Sequence, residues 1–145
     1  MKNIHILKTN KPSRLFLNKI NNKLLFLKNE TRIDTASIGQ YQHIYITSDE
    51  EIKEGNWVVN TKGANEIYKV ASFNGGVPLD KDGNGGLFTK KIILTDNKDL
   101  IKDGVQAIDD EFLEWFVKNP SCEEVEVMNV PDFIYQTKHS CYKII

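Results

Sequence analysis

"LDKDGNGGLFTKK", Leu79 to Lys91, decides the fold, because it admits two incompatible readings: a calcium loop between two helices, or a glycine-rich loop between two strands. An EF-hand loop needs oxygen ligands at positions one, three, five and twelve, the last a bidentate Glu, with Gly at six for the sharp turn. Asp80, Asp82, Asn84 and Gly85 fill the first four places, but position twelve is Lys91, a cation where the closing ligand should stand. The flanks agree with the second reading. "EIYKVASF" before the loop and "LFTKKIILT" after it are β-branched and aromatic, the composition of strands. The stretch therefore reads as a flexible glycine-rich hairpin loop at about 74–87, with Gly75, Gly76, Gly83, Gly85 and Gly86 supplying the positive φ angles it needs.

Outward from this loop the same period-two pattern recurs. "NIHIL" alternates, and "SRLFLNKINNKLLFLKN" reads as two strands joined through Asn21 and Asn22, which tolerate left-handed turn geometry. "QHIYIT" sets Ile44 and Ile46 against His43, Tyr45 and Thr47, a strand with one buried face. "NWVVN" and "EIYKVASF" flank "TKGA" as a further hairpin, "EEVEVMNV" alternates again, and the final "CYKII" reads as a closing strand. Only "IDDEFLEWFVKNP" has the marks of a helix. Asp109 is placed to cap it, Asp110 and Glu111 suit its positive end, Ile108 and Leu113 have staple spacing, and Asn119 with Pro120 ends it. Its aromatics, Phe112, Trp115 and Phe116, are expected to pack against the sheet. The fold class that follows is α+β, mostly β: a small antiparallel sheet or barrel with one main helix at about 109–118, in a single domain over 1–145.

An internal echo links "IYITSDEEIKEGNWVV" with "IILTDNKDLIKDGVQAI". In each a strand ends at a threonine, an acidic turn follows, and an Ile-Lys-acid-Gly group leads onward. Ser48 and Glu51 have capping-box spacing for one helical turn, with Gly55 placed to stop it.

Composition narrows the function by exclusion. A chain with 40% hydrophobic and 27% charged residues is ordinary for a globular domain, and it contains no apolar run of membrane-spanning length or signal-like N-terminus. Cys122 and Cys141 have no metal-ligand spacing, and His5, His43 and His139 stand apart from one another. Neither a nucleophile elbow nor a phosphate-gripping glycine loop occurs, so the chain is expected not to be an enzyme and to need no cofactor or metal. Charge is more informative. Met1 to Arg32 carries eight basic residues and one acid, a net of +7, whereas the remainder carries eleven against nineteen, or −8. Such a segment is a candidate surface for anions, or for pairing with the acidic remainder or with a second copy of the chain.

Within that segment "NKPSRLF" holds the best candidate contacts. Pro12 fixes the backbone, Ser13 offers a hydroxyl, and Lys11 and Arg14 are suited to phosphate oxygens, Arg14 in bidentate fashion. Alternatively these are solvated charges at a strand entry, where basic residues protect a sheet edge.

The blocks "KPSRLF", "HIYITSDEEIKEGNWV" and "KKIILTDNKDLIKDGVQAIDDEFLEWFVKNPSCEEVEV", with a terminal "YKII", resemble a family of uncharacterised small proteins encoded by tailed bacteriophages. The blocks cover somewhat over half the chain. The resemblance implies an accessory protein of the host cytoplasm acting by binding, and one such class sequesters the nucleotide signals of bacterial immunity. The corresponding expectation is a small anionic, nucleotide-like ligand held by Lys11, Ser13 and Arg14, with Phe16, Tyr45 or Trp57 stacking on its bases. The alternatives are a nucleic-acid-binding module, disfavoured by the overall acidity, and a virion or host-inhibitor protein acting through protein contacts, with a homo-oligomer open in each case.

Overall fold

A computed structural model describes residues 3–27, 38–62, 66–129 and 135–138, with side chains as far as Val125. The final "CYKII", Cys141 and His139 lie outside them, as do Gly63 and Ala64 of "TKGA". The chain divides into two compact units: the first comprises Met1–Ile44 and Ile108–Ile145, the second Tyr45–Ala107. It is mostly strand, and its main sheet of eight strands is not closed into a barrel.

In the first unit, β1 (Ile4–Thr9) is followed by the hairpin of β2 (Leu15–Asn18) and β3 (Lys23–Phe26). Asn22 makes the hairpin turn at φ 57°, the left-handed geometry expected of the Asn21–Asn22 pair. β4 (Gly39–Ser48) carries residues of both units, and its leading half pairs antiparallel with β2, Leu15 opposite Gln42 and Leu17 opposite Gln40. β1 also pairs with β4. Gly39 is required at its position, because a Cβ there would strike the Leu17 carbonyl and the Phe16 ring. β11 (Glu126–Asn129) and β12 (Tyr135–Lys138) form a separate antiparallel pair.

The second unit orders the trailing half of β4, then β9 (Thr89–Thr95), β5 (Trp57–Asn60) and β6 (Ile67–Lys69), all antiparallel; β10 (Gln106–Ala107) lies parallel to β9. β6 and β9, the flanks of the glycine-rich stretch, are therefore not partners, since β5 runs between them. "EIYKVASF" also breaks in two, its second half becoming β7 (Ser72–Asn74), which pairs with β8 (Val77–Leu79) around Gly75 and Gly76. After β8 the Asp80 carboxylate accepts the backbone N–H groups of Asp82 and Asn84, both at 2.9 Å. The first would-be calcium ligand is thus turned inward on its own loop. Among the described residues no group of three His, Cys, Asp or Glu is placed to hold a metal.

The two halves of the sequence echo fold differently. "DNKDLIKDG" forms α1 (Lys98–Lys102), capped by Asn97, whose side chain accepts from the Asp99 N–H at 3.0 Å. "SDEEIKEG" forms no helix: the Ser48 hydroxyl donates to Glu50 at 3.0 Å instead of taking part in a capping box. Both end on a left-handed glycine, Gly55 at φ 90° and Gly104 at φ 103°.

The main helix, α2 (Asp110–Lys118), follows its sequence signals closely. The Asp109 side chain accepts from the Phe112 N–H at 2.7 Å, and Phe112, Leu113 and Phe116 form the buried stripe of a 3.6-residue period. Phe112 stacks on Phe116 with centroids 6.0 Å apart. No helix among the described residues is long and apolar enough to cross a membrane.

Candidate functional site

β4 differs from its expected pattern in the way that matters most for function. Alternation predicts one buried face, yet every residue from Tyr41 to Thr47 is buried. Both faces are covered, so the polar residues among them must find partners inside the protein.

Most do. Ser13, 1% exposed, donates its hydroxyl to the Gln42 carbonyl at 2.6 Å, accepts from the Leu15 N–H at 3.2 Å, and lies 3.4 Å from His43 Nδ1. A hydroxyl whose proton is committed to a carbonyl is a structural lock between the entry to β2 and β4, and Ser13, expected as a ligand contact, is buried in that role here. Tyr45 receives a hydrogen bond from Asn97 Nδ2 at 2.8 Å on its phenol oxygen. Burial pushes its pKa from 10.0 up to about 12, the Asn97 bond opposing and the carboxylates of Asp96 and Asp99 reinforcing the shift. With 3% exposure its ring offers no face for stacking.

The remaining expected contacts also have partners of their own. Arg14 pairs with Asp110 at the start of α2 at 2.7 Å, and its guanidinium sits 4.7 Å from the Phe26 centroid. It joins the hairpin to the helix. Trp57 donates its indole N–H to Asp103 at 2.8 Å, and Lys69 reaches the same oxygen at 2.8 Å; the Lys69 and Trp57 bonds hold the Asp103 carboxyl below its ordinary range. Lys11 is exposed, with its backbone N–H on the Thr9 hydroxyl. Lys11, Ser13 and Arg14 belong to the first unit, Tyr45 and Trp57 to the second.

One buried polar group is left over, and sequence inspection does not single it out. Gln42 is 5% exposed; its carbonyl is taken by Ser13, but its side-chain carboxamide has no hydrogen-bond partner among the described residues. An unsatisfied buried amide costs about 1–3 kcal/mol. Gln42 lines a groove of about 320 Å³ in the first unit, walled by Ile6, Leu17, Leu24 and Phe116. Register puts the side chain on that side: Gln42 opposes Leu15, so it shares a sheet face with Leu17 and Leu24. Asn22 and Ser121, both exposed, add polar groups to the lining. The volume falls at the small end of ligand sites, which run from about 300 to 1,000 Å³.

The surroundings are cationic. Residues 3–27 hold five basic side chains and no acid. Lys8 stands two residues beyond Ile6 on the same face of β1, about 7 Å along the strand. Lys19 and Lys23 flank Asn22 around the hairpin turn, and among the described residues none of these three lysines forms an ion pair. No protein-family model, curated protein or solved structure matches the chain.

Proposed function

We propose that the protein binds, without catalysis, a small anionic ligand in the groove of the first unit, its uncharged part against Ile6, Leu17, Leu24 and Phe116 and its anionic part toward Lys8 and the Lys19–Lys23 turn. The observation that carries this reading is the Gln42 carboxamide, buried in a largely apolar groove with neither its donor nor its acceptor paired among the described residues. A folded protein retains such a group at a cost of about 1–3 kcal/mol, and a ligand that pairs with it recovers that cost as affinity. The resemblance to bacteriophage proteins supports a biological sense for such binding, the sequestering of a nucleotide signal of host immunity. In that setting the protein acts in the host cytoplasm. The groove's volume accommodates one ring system, so a larger signal would be held by one of its bases.

Native mass spectrometry of the protein with cyclic dinucleotides, cyclic ADP-ribose isomers, mononucleotides and a short RNA tests the reading. A retained nucleotide is the expected result. Retention of the RNA alone, weakening steeply with salt, would replace it with nucleic-acid binding, and no retained species would overturn it.

A further inference from the structure

Resting on the reading just given, we infer that the groove selects adenine: Gln42 reads a donor–acceptor edge of an adenine nucleotide. A carboxamide presents an oxygen acceptor beside an N–H donor in one plane, so its full complement is a planar edge with a donor next to an acceptor. Nucleobases carry such edges, and a glutamine pairs in this bidentate way with the N6 amino group and ring nitrogen of adenine.

The walls choose among the bases. Ile6, Leu17, Leu24 and Phe116, which do not hydrogen-bond through their side chains, make up most of the groove lining beside Gln42, with Pro120 and the exposed Asn22 and Ser121 completing it. A base whose remaining edge set a carbonyl oxygen or a second amino group against those apolar side chains would leave it unpaired. Uracil and cytosine each keep a further carbonyl after one bidentate pair, and guanine keeps its 2-amino group. Adenine keeps ring nitrogens and the second hydrogen of its 6-amino group but no carbonyl and no further amino group, the smallest demand of the four. The Phe116 ring and the branched apolar side chains of Leu17 and Leu24 supply apolar contact for a planar heterocycle, while Lys8, on the Ile6 face of β1, is placed for the phosphate.

Titration calorimetry of the full chain with AMP, GMP, UMP, purine riboside 5′-phosphate and ribose 5-phosphate tests the inference. AMP is expected to bind about tenfold or more tighter than GMP, UMP and the purine analogue lacking the 6-amino group, the discrimination of one bidentate pair. Gln42→Met, which matches the length and shape of glutamine, should weaken AMP by about tenfold or more, to about the affinity that purine riboside 5′-phosphate has for the unaltered protein. The purine analogue probes the same contact on the unaltered protein, whether or not the variant folds. GMP or UMP binding as tightly as AMP would overturn it, as would AMP affinity unchanged in Gln42→Met. If all five bind equally, base selection fails while the anion site stands; if none binds, ribose 5-phosphate included, the binding function itself fails.

Discussion

Two buried side-chain amides, one in each unit, are held on opposite terms. In the second, the Asn97 side chain donates to the Tyr45 phenol and accepts from the Asp99 N–H as the cap of α1, and its backbone N–H donates to the Thr95 hydroxyl at 3.1 Å, so one buried residue ties β4, β9 and α1 together. In the first, Gln42 sits three residues before Tyr45 on the same strand, also buried, with its carboxamide unmatched among the described residues. A satisfied buried network rigidifies and specifies a fold, whereas an unsatisfied group beside a groove is a cost kept for something outside the chain. The contrast separates a scaffold from a site.

The largest effect should come from Gly39→Ala. The added methyl must displace the Leu17 backbone and the Phe16 ring, so a loss of about 3 kcal/mol or more is expected in denaturant unfolding. A loss below about 1 kcal/mol would show that β2 and β4 yield easily, and the groove formed beside Leu17 would then not be preorganised.

Next in size is Asn97→Ala, which removes the α1 cap and leaves the Tyr45 hydroxyl without its donor, at about 2 kcal/mol. Gln42→Met should move stability the other way, raising it by about 1 kcal/mol while weakening ligand affinity, since an apolar side chain of the same shape replaces an unsatisfied amide. Opposite signs at these two positions sharpen the comparison, and a loss at both would break it.

Arg14→Ala should cost about 1 kcal/mol through the Asp110 pair and the Phe26 contact. If ligand affinity is retained in that variant, Arg14 is a strut rather than the phosphate contact its sequence setting suggests. The smallest effects are in pH. Tyr45 has a folded pKa raised from 10.0 to about 12, so its contribution is intact below pH 10 and is lost between 10 and about 12; melting curves of Tyr45→Phe should lack that alkaline decline. Asp103 has the opposite sign. Its depressed pKa gives stability present above its ordinary 3.8 and lost as pH falls below that value, a small effect for so exposed a group that Trp57→Phe should reduce.

Local chemistry carried much of the fold in plain view. The cap, acidic first turn and apolar stripe of α2 all depend on neighbours within four residues, and the left-handed turn at Asn22 needs only its own side chain. The failures are equally physical. Ser48 and Glu51 have capping-box spacing but no helix, because Ser48 bonds Glu50 instead, while the matching segment gains a helix through Asn97 and its long-range partner Tyr45. Arg14 has the residue type of a phosphate ligand; that Asp110, far along the chain, already holds it is a fact of tertiary structure.

The sequence by itself determined a β-rich chain, one capped helix, a glycine-dependent loop that is no EF-hand, and a basic N-terminal segment, since each rests on residue type, spacing or composition. Only the tertiary structure decided what is buried on β4. Alternation marks which residues share a face but carries no information on whether the other face is covered, and a glutamine in "YQHIYIT" looks the same whether it meets water or an apolar wall. Burial and the lack of a partner are properties of everything packed around Gln42, drawn from strands and a helix up to 74 positions away at Phe116, and no local pattern encodes them.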